Sequence, residues 1–534
     1  MSEYTRLRTP FVNMSFTPDV PSNALGTNEY SNGLNVECDV RGIRKISGEE
    51  EILSSIPGHP VYMDGGFRNE ATWVYIVATR EGKWYLLNSG GITNITPGVG
   101  ANPDVFLTGY SDDVNITTSW VGNVFFINDA LRNPMQLLSN ATEITITSDA
   151  EWNYIPGVNA TRAGFVRNFC SPNVGNILIA GNFTEDLSSG TTVNYPSTVR
   201  WSQAFANTGM PQTWMPTLNN VANEQEIPVR GPIIDGFFLG ANFYVCSYWD
   251  TVVFSPLAYQ NSSAPIFGVR LFNQGRGLIN NNCWSNTDTN VYGVDSRDIW
   301  VFNGSDFAPL GNQKVRDYFF RNLSQTYSDR LFMVNNTQKN QIEIYYPDQT
   351  STGWCNKMLS YRYDLQLWNA PKNIANACNA CEAPKLISGS FKYASRTVTY
   401  ARGGLDNQKM VQTGIGNSFI NSAPIPTLFE RNNATLITPD GPVPYSSKVY
   451  IHRILPEIAG TGNINITVGG ANSTAQTATY GQVGVVSVST NNPWVTTQQN
   501  AVRTVSIKVE SNDATDTWNL TALNWQASIV EDAF

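Results

Sequence analysis

Ionic side chains are scarce in this sequence of 534 residues. Asp, Glu, Lys and Arg make up 14% of the chain, whereas an average globular protein has roughly 25%. Aromatic residues are abundant at 12%. This excludes intrinsic disorder, which requires few aromatic residues and a high net charge. The scarcity of charge also excludes a coiled coil or a long helical array, because these are rich in Ala, Glu, Lys, Leu and Arg.

The sequence is acidic and has almost no histidine. Its net charge is -9 and its isoelectric point is about 5.0, whereas proteins that grip nucleic acid are usually basic. The two His, His59 and His452, leave little room for histidine acid–base catalysis or a multi-histidine metal site. Each lies beside Pro or Arg in an expected turn or strand, so we interpret both as structural or solvent-facing residues.

Long apolar runs are missing as well. No run of 18 apolar residues occurs, and the nearest candidate, residues 231–249, is interrupted by Asp235 and Asn242. The first eleven residues lack the apolar segment of a secretory signal. We therefore expect no stable membrane insertion and no export. The seven Cys are accordingly expected to be reduced thiols.

Turn-forming and strand-forming residues are abundant. Gly 42, Pro 28 and Asn, near one residue in nine, favour tight turns, while Trp 14, Tyr 23 and Phe 25 favour strands. Residues 73–79 are followed by a turn and by residues 84–87, and residues 291–294 by a turn and by residues 299–302. Short alternating segments joined by tight turns predict β-meanders.

These units recur at a spacing of roughly 40 to 60 residues, close to the period of about 40 to 50 residues in β-propeller blades. A lone four-stranded sheet leaves both faces uncovered, and radial stacking of six to eight blades covers them. We therefore predict an all-β chain built around a β-propeller of six to eight blades, with seven as the best estimate. A series of β-sandwich domains is the alternative.

The pattern divides the chain into three parts. Residues 1–60 are predicted as an N-terminal extension and blade-closing segment, residues 61–421 as the β-propeller, and residues 422–534 as a C-terminal antiparallel β-sandwich-like domain. Within the propeller, residues 187–228 are expected to form a loop-rich insertion. Residues 314–323 are expected to form a short amphipathic helix, because their apolar residues recur at helical spacing.

The C-terminal part alternates strictly. Along residues 503–510, Val505 and Val509 are expected to face the core, whereas Ser506 and Lys508 are expected to face the solvent. This is the pattern of a half-exposed antiparallel strand, and it favours a sandwich.

Motifs for catalysis and for cofactors are missing. The sequence contains no G-x-S-x-G elbow, no Walker A loop and no H-E-x-x-H, and residues 275–277 are only a fragment of a dinucleotide fingerprint. Cys378 and Cys381 form a single C-x-x-C with Cys355 as the nearby further thiol, whereas a structural zinc site needs four ligands. We interpret this pair as thiols in a loop.

The carboxylate and amide residues also do not match a calcium-binding loop or identify a glycosidase site. Residues 286–290 begin like a calcium loop, but a Val follows where the turn needs Gly. A propeller glycosidase needs paired carboxylates, and Asp112 with Asp113, or Glu224 with Glu226, are available, although turns hold such residues routinely. We therefore predict no enzyme, no cofactor and no metal, and we assign no catalytic, cofactor-binding or metal residue.

The order of short segments is informative beyond any single motif. Residues 28–36 and 41–48 precede the first expected blade, and further segments follow at 235–247, 250–255, 275–279, 291–304 and in the helix at 314–323. This order resembles the tail nozzle or tail hub proteins of short-tailed bacteriophages, of the tail tubular protein B and phage stabilisation protein type. Ile46 and Ser47 stand where that family has Arg-Pro. The resemblance covers roughly residues 25–420 and rests on order rather than on identity.

The resemblance implies a structural, non-enzymatic virion protein, assembled in the host cytoplasm and located in the tail. Such subunits form a homohexameric ring below the tail adaptor protein, carry fibres or spikes outside, and let double-stranded DNA pass through the lumen without specific binding. A lumen poor in Lys and Arg suits this role, because phosphate affinity comes mainly from those residues. The residues that line the lumen stay unassigned, because a shift of one residue moves every side chain to the other face of its strand.

Two other function classes remain open from the sequence. A host-surface carbohydrate-binding or depolymerase propeller is one, since Trp249, Trp284 or Trp354 could stack on sugars, although Trp is also the usual core residue of blades. An extracellular adhesin with repeated β-domains is the other, and the expected lack of an export signal argues against it.

Overall fold

The computed structural model describes residues 5–69, 72–98, 109–153, 157–258, 265–434, 436–438, 441–444, 446–473, 476–489, 494–497 and 500–531. Within these ranges, regular structure is almost entirely β. The sheets form a β-propeller of seven four-stranded blades and a second body of two six-stranded sheets. The predicted all-β propeller and its best estimate of seven blades are therefore confirmed, and a chain made of successive β-sandwich domains is excluded.

Blades 1 to 5 are separate antiparallel sheets whose strands lie in chain order from the propeller axis outwards. Their strands are Pro60–Asn69, Thr72–Thr79, Trp84–Asn88 and Gly91–Asn94 in blade 1; Thr117–Val121, Val124–Asn128, Met135–Leu137 and Thr145–Ile146 in blade 2; Val158–Ser171, Gly175–Leu187, Thr192–Trp201 and Asn223–Glu226 in blade 3; Ile233–Leu239, Asn242–Ser247, Asp250–Pro256 and Phe267–Gln274 in blade 4; and Trp284–Asn286, Val291–Val294, Ile299–Phe302 and Phe307–Pro309 in blade 5.

Blades 6 and 7 are joined because they share the 21-residue strand Leu367–Ile387. The first half of this strand is the outer strand of blade 6, and the second half is the inner strand of blade 7. The other strands are Phe332–Asn336, Gln341–Tyr346 and Cys355–Arg362 in blade 6, and Ser390–Arg402, Met410–Thr413 and Glu49–Ile52 in blade 7. The strand Glu49–Ile52 therefore comes from the N-terminal part of the chain and closes the ring by pairing with Met410–Thr413.

The hairpins expected from the sequence are present. Thr72–Thr79 pairs with Trp84–Asn88, and Val291–Val294 pairs with Ile299–Phe302. The first turn is tight because Gly82 adopts a φ of 73°, a conformation that costs glycine little.

Trp300 shows how the core of a blade is filled. Its side chain is fully buried, and it lies against Gly293 on the facing strand, where a Cβ would come within 2.3 Å of the indole ring. Its Nε1 donates to the carbonyl oxygen of Gly277 at 3.1 Å, and Phe307 packs edge-on with its ring centroid 5.0 Å away. The indole thus fills a space that only a glycine opposite it leaves open.

The predicted helix is confirmed. It spans Arg316–Asn322, and Val315, Phe319 and Leu323 are buried, as their helical spacing indicates. Its first turn is held by Asp19, whose carboxylate accepts the backbone N–H groups of residues 317 and 318, each at 2.8 Å. Further short helices are Asp149–Trp152, Ser22–Ala24, Ser328–Arg330, Thr337–Lys339 and Ile420–Ser422.

The expected loop-rich insertion at residues 187–228 contains two strands, although residues 202–222 between them belong to no strand. Thr192–Trp201 and Asn223–Glu226 are the two outer strands of blade 3. The first half of Thr192–Trp201 extends into solvent, and four of its first five residues are exposed. It therefore lacks the apolar alternation by which a strand is recognised in a sequence.

The second body contains strands from both ends of the chain. One sheet comprises Thr5–Pro10, Val36–Asp39, Gly42–Lys45, Ser447–Thr461, Val495–Thr496 and Thr517–Glu531, and the other comprises Asn32–Leu34, Thr427–Ala434, Asn463–Ala471, Thr479–Tyr480, Gly484–Ser487 and Thr504–Ser511. Two small two-stranded sheets pair Ser15–Phe16 with Glu29–Tyr30, and Ile437–Thr438 with Gly441–Pro442. The N-terminal residues are thus more than an extension, because most of their strands complete sheets of the C-terminal body. The sequence pattern could not show this, because strand alternation carries no record of the pairing partner.

Facing directions in this body follow the sequence with one exception. Val505 and Val509 are buried as expected, but Ser506 is buried too. Its Oγ accepts the backbone N–H of Asn433 at 3.0 Å. A hydrogen-bonded serine is tolerated inside, so its polarity alone did not indicate the solvent side.

A buried ion cluster joins the second body to the propeller. Glu37 of the second body is 4% exposed, and its carboxylate receives Lys372, Lys339 at 2.7 Å and Arg44 at 3.2 Å. Burial alone would raise the pKa of Glu37, but Lys339, Lys372 and Arg44 hold it well below its usual range. Because removal of one member leaves the others buried without compensation, the cluster ties the two bodies together.

Replacement of Trp300 by Ala should destabilise the chain by about 3 to 5 kcal/mol, because it removes a fully buried indole and leaves a cavity. Denaturant unfolding of the variant and the parent measures this difference. Trp249→Ala is the matched control, since Trp249 is 47% exposed. A loss below about 1 kcal/mol for Trp300→Ala would contradict the packing described above.

The ring-closing strand contains a carboxyl group with an unusual proton affinity. Glu49 is half-buried and accepts a hydrogen bond from the Tyr400 hydroxyl at 3.0 Å. Burial raises the pKa of Glu49 to about 7, and the Tyr400 hydrogen bond and Arg402 offset only part of that rise. The folded state therefore retains a proton that the unfolded chain releases near its ordinary value of 4.5.

This difference predicts a pH-dependent contribution to stability. The contribution is fully present below pH 4.5 and is lost as the pH rises towards 7, because the unfolded state then binds fewer protons than the folded state. Glu49→Gln should remove this slope and should gain at least about 1 kcal/mol relative to the parent between the two pH values. Glu50→Gln, an exposed neighbour on the same strand, should run parallel to the parent. Parallel curves for Glu49→Gln would contradict the prediction.

Candidate functional site at the propeller axis

The first strands of all seven blades begin around one open cavity on the axis, here called the axial mouth. Its volume is about 320 Å³. Each blade contributes to the lining, in chain order Tyr62, Ile116, Gly164, Ile233, Asn282, Phe332 and Asn379. Because backbone from every blade converges there, the mouth is concave, and ligands commonly bind in such concave sites.

A buried ion pair fills the axis beyond the mouth. Arg167 of blade 3 donates from Nε to Oδ1 of Asp235 at 2.9 Å and from Nη2 to Oδ2 at 2.6 Å. The same guanidinium donates to Oδ1 of Asn282 and to the backbone carbonyl of Thr118, both at 2.9 Å. Its carbon atom lies 5.4 Å from the ring centroid of Trp284. One arginine therefore connects blades 2, 3, 4 and 5 across the axis.

Asp235 is satisfied on both carboxylate oxygens. Besides Arg167, it accepts Nε1–H of Trp284 at 2.9 Å and the backbone N–H of Gly236 at 2.8 Å. Burial alone would lower the pKa of Arg167, but Asp235 raises it. The pair is thus fully hydrogen-bonded, which is the condition under which a buried charge is tolerated.

A second acid lies on the opposite side of the axis. Asp64 of blade 1 accepts the Thr118 hydroxyl at 2.6 Å and the backbone N–H of Gly65 at 2.7 Å. The Tyr62 hydroxyl lies 2.7 Å from the same Thr118 oxygen. Burial raises the pKa of Asp64, and the hydrogen bonds offset part of the rise. Blades 1 and 2 are linked by this network.

The rim of the mouth holds Arg330 between two aromatic rings. Its guanidinium carbon lies 5.0 Å from the Tyr327 ring centroid and 4.8 Å from that of Trp354. Its Nε donates to Oδ1 of Asp113 at 3.1 Å, and its Nη1 to the Gly353 carbonyl at 2.5 Å. All three nitrogens are engaged by the wall, because Nη2 also bonds Asp113.

Several residues considered from the sequence do not line this mouth. His59 pairs with Glu81, Nδ1 to Oε1 at 2.6 Å, and His452 lies in the second body with its Nε2 2.8 Å from the Ser528 hydroxyl. Both are held by protein side chains. Residues 286–290 form the turn of a hairpin in blade 5.

The carboxylate pairs separate into two groups. Asp112 and Asp113 both line the axial mouth, where Arg80 holds Asp112 with its Nε 2.8 Å from Oδ1. Glu224 instead lies on the outer strand of blade 3 and accepts from Arg200 at 2.9 Å. The structure therefore brings the first pair to the axis and leaves the second pair at the periphery.

The C-x-x-C pair lies in a strand, which corrects its interpretation as a loop pair. Cys378 and Cys381 are part of Leu367–Ile387, and this strand runs through two blades, so the usual turn signals between blades are missing. All seven Cys are free thiols. Burial raises the pKa of Cys378 to about 12, so it remains protonated. Among the described residues, no group of three or more His, Cys, Asp or Glu is placed to hold a metal.

The three Trp considered for sugar stacking differ in exposure. Trp249 is 47% exposed, and its ring centroid lies 6.0 Å from that of Tyr248 at the rim. Trp284 is half-buried beside Arg167, and Trp354 is buried beneath Arg330. Of the three, Trp249 alone presents a broad ring to solvent.

Sequence reasoning did not identify Arg167 and Asp235. A lone charge next to buried apolar residues was the available signal, since Arg167 follows Val166 and Asp235 follows Ile234, and charged residues are rarely buried unless paired. Their pairing joins positions 68 residues apart, so the signal could mark each residue but could not connect the two.

Comparisons with known proteins are sparse. No family model matches the sequence, and no curated protein matches it. A chain in a crystal structure of BBS1N in complex with ARL6DN, soaked with mercury, aligns with 70% of this chain and 97% of its own length, at 8% identity and a TM-score of 0.40. Among the described residues, no helix is long and apolar enough to cross a membrane.

Asp235→Asn should destabilise the chain by about 3 to 5 kcal/mol, because it leaves the buried Arg167 charge without its partner. Thermal or denaturant unfolding measures the effect. Asp288→Asn, the same change at an exposed turn, should be neutral within about 0.5 kcal/mol. The double variant Arg167→Met with Asp235→Leu should recover much of the loss. Equal stability of Asp235→Asn and Asp288→Asn would show that the ion pair does not hold the axis.

Proposed function

We propose that this chain is a structural, non-enzymatic subunit of the tail nozzle of a short-tailed bacteriophage. In this proposal it is assembled in the host cytoplasm and becomes part of the virion tail. It forms a homohexameric ring below the tail adaptor protein and carries fibres or spikes outside. Double-stranded DNA passes through the lumen during ejection without specific binding. The proposal starts from the segment order between residues 28 and 323, which resembles that of such proteins.

The observation that carries the proposal is the state of the cationic side chains. More than half of the 34 Lys and Arg lie within ion-pair distance of a carboxylate of the same chain: Arg8, Arg44, Lys45, Arg80, Arg132, Arg162, Arg167, Arg200, Arg230, Arg276, Arg330, Lys339, Lys357, Arg362, Lys372, Arg396, Arg402 and Lys508. A phosphate would have to compete with these carboxylates. A surface of this kind retains DNA poorly, because retention depends on free cations and counterion release.

The filled axis supports a DNA path outside the propeller of each subunit. Arg167, Asp235 and Asn282 bond across the axis of the propeller, so the bore within one chain is too narrow for a duplex. In the proposed ring the lumen lies between copies, and each propeller is a solid wall element. The N-terminal and C-terminal strands of the chain pair within one body, and this suits a subunit that forms part of the wall of a ring.

The proposal predicts a ring of about six copies with closed rotational symmetry. Negative-stain electron microscopy and mass photometry of the purified full chain measure this, and the central opening should admit a DNA duplex. In fluorescence anisotropy at physiological salt, labelled duplex DNA should show no stable binding. A protein that stays monomeric at micromolar concentration and binds glycans would overturn the proposal.

A host-surface carbohydrate-binding propeller is the second candidate, and one observation favours it. Trp249 and Tyr248 expose adjacent rings at the rim of the axial mouth, and such rings can stack on sugars. A glycan array with the parent and with Trp249→Ala distinguishes the candidates. Glycan binding that Trp249→Ala abolishes supports this candidate, and the absence of glycan binding removes it.

A further inference from the structure

Several Asn side chains at the axial mouth direct their amide nitrogens towards backbone carbonyl oxygens of the wall. The side-chain NH₂ groups of Asn115 and Asn281 both donate to the carbonyl oxygen of Gly164 at 3.1 Å, and that of Asn182 donates to Ile233 at 3.0 Å. A primary amide carries its donors on nitrogen and its acceptors on oxygen. Each of these nitrogens uses one of its two N–H donors on a backbone carbonyl, so the amides leave more acceptor sites than donors for a ligand at this wall.

The side chain of Asn280 independently indicates that the mouth can receive a hydrogen-bond donor. It lines the mouth and is 7% exposed. Its Nδ2 donates to the carbonyl oxygens of Asp329 at 2.5 Å and Leu331 at 2.8 Å, whereas its Oδ1 is buried and has no hydrogen-bond partner among the described residues. An unpaired buried acceptor costs about 1 to 3 kcal/mol, so this oxygen favours the arrival of a donor.

The charges at the mouth are also unbalanced. Asp112, Asp113 and Asp329 line it together with a single lining cation, Arg330. Because Arg80 pairs with Asp112 from outside the lining and Arg330 pairs with Asp113, Asp329 supplies the excess negative charge. The Arg330 nitrogens are already bonded to Asp113 and Gly353, and among the described residues Asp329 takes part in no ion pair. Asp329 is exposed at the rim, so an incoming group can reach its carboxylate.

We propose that the axial mouth binds one cationic hydrogen-bond donor, a guanidinium or primary ammonium group, with Asp329 and Asp113 supplying the opposite charge and Asn280 an acceptor. Such a group comes either from an Arg or Lys side chain of a partner protein or from a small free amine. Both groups carry several donors and no acceptor, which matches a wall of oxygens. The inference rests on the mouth alone and holds whether or not the chain forms a tail nozzle.

The size and chemistry of the cavity favour this ligand over a neutral saccharide. A volume of about 320 Å³ lies at the lower end of the range of roughly 300 to 1,000 Å³ for ligand pockets, which suits a single side chain. A sugar hydroxyl needs acceptors and donors together, whereas the donors of Arg330 are engaged by the wall. The half-exposed Tyr248 ring at the rim provides a face for a cation.

Isothermal titration calorimetry on the full chain tests the proposal. The probes are the peptide acetyl-Gly-Arg-Gly-amide, its neutral citrulline counterpart, spermidine and maltotriose. We expect saturable binding of the arginine peptide in the millimolar range or tighter, weakened by salt, and none of the citrulline peptide. Tighter binding of the arginine peptide than of spermidine identifies a protein side chain as the source, and the reverse order identifies a free amine.

Two variants complete the experiment. Asp329→Asn should weaken binding of the arginine peptide about tenfold, and its melting temperature should match that of the parent, because Asp329 is exposed. Asp288→Asn makes the same change on an exposed turn of blade 5 and should leave binding unchanged. Equal binding of the arginine and citrulline peptides, no saturable binding, or an unchanged affinity in Asp329→Asn would each overturn the proposal. Binding of maltotriose without binding of either amine would also overturn it.

Discussion

The pairing of Glu49–Ile52 with Met410–Thr413 is the contact on which the rest of the propeller depends. Each four-stranded blade has two faces to cover, and only a closed ring covers them for all seven blades. Since the closing strand and the last blade are separated by most of the chain, closure fixes a long loop and carries an entropic cost. The second body offsets part of this cost, because N-terminal and C-terminal strands pair within its sheets beside the closure.

The axis shows how the ring is held at its centre. Inner strands of a seven-bladed ring leave a space that apolar side chains of seven converging strands do not fill by themselves. Here Arg167 spans this space and reaches four blades through directed hydrogen bonds. The ion pair with Asp235 is tolerated in the interior because every oxygen of Asp235 is bonded. The axis is therefore closed beyond the mouth, and the mouth is a pocket and not an opening of a channel.

The low content of charged residues limits the positive charge that this chain can offer to a ligand. The few cations are largely committed to carboxylates of the same molecule, as in the cluster of Glu37 with Lys339 and Lys372 that joins the two bodies. The acidic chain thus has little free positive charge for phosphate. At the axial mouth the balance is reversed, since among the described residues Asp329 takes part in no ion pair and the side-chain oxygen of Asn280 has no hydrogen-bond partner. The scarcity of free cationic side chains therefore has two consequences. It disfavours DNA retention, and it leaves acceptor groups at the axial mouth available to a cationic ligand.

The fold class, the spacing of the blades and the helix at Arg316–Asn322 could be predicted from the sequence, because turns and strand or helix periodicity are local properties. The sequence could not place the strands Thr192–Trp201 or Thr5–Pro10, since half of the former extends into solvent and the latter acquires its sheet from the far end of the chain. The sequence showed Asp112 and Asp113 as adjacent carboxylates with no assigned role. It did not indicate that they line one cavity together with Asn280. The axial mouth becomes visible only in the folded chain, because closure of the ring brings together residues that are far apart in the sequence and that no local pattern connects.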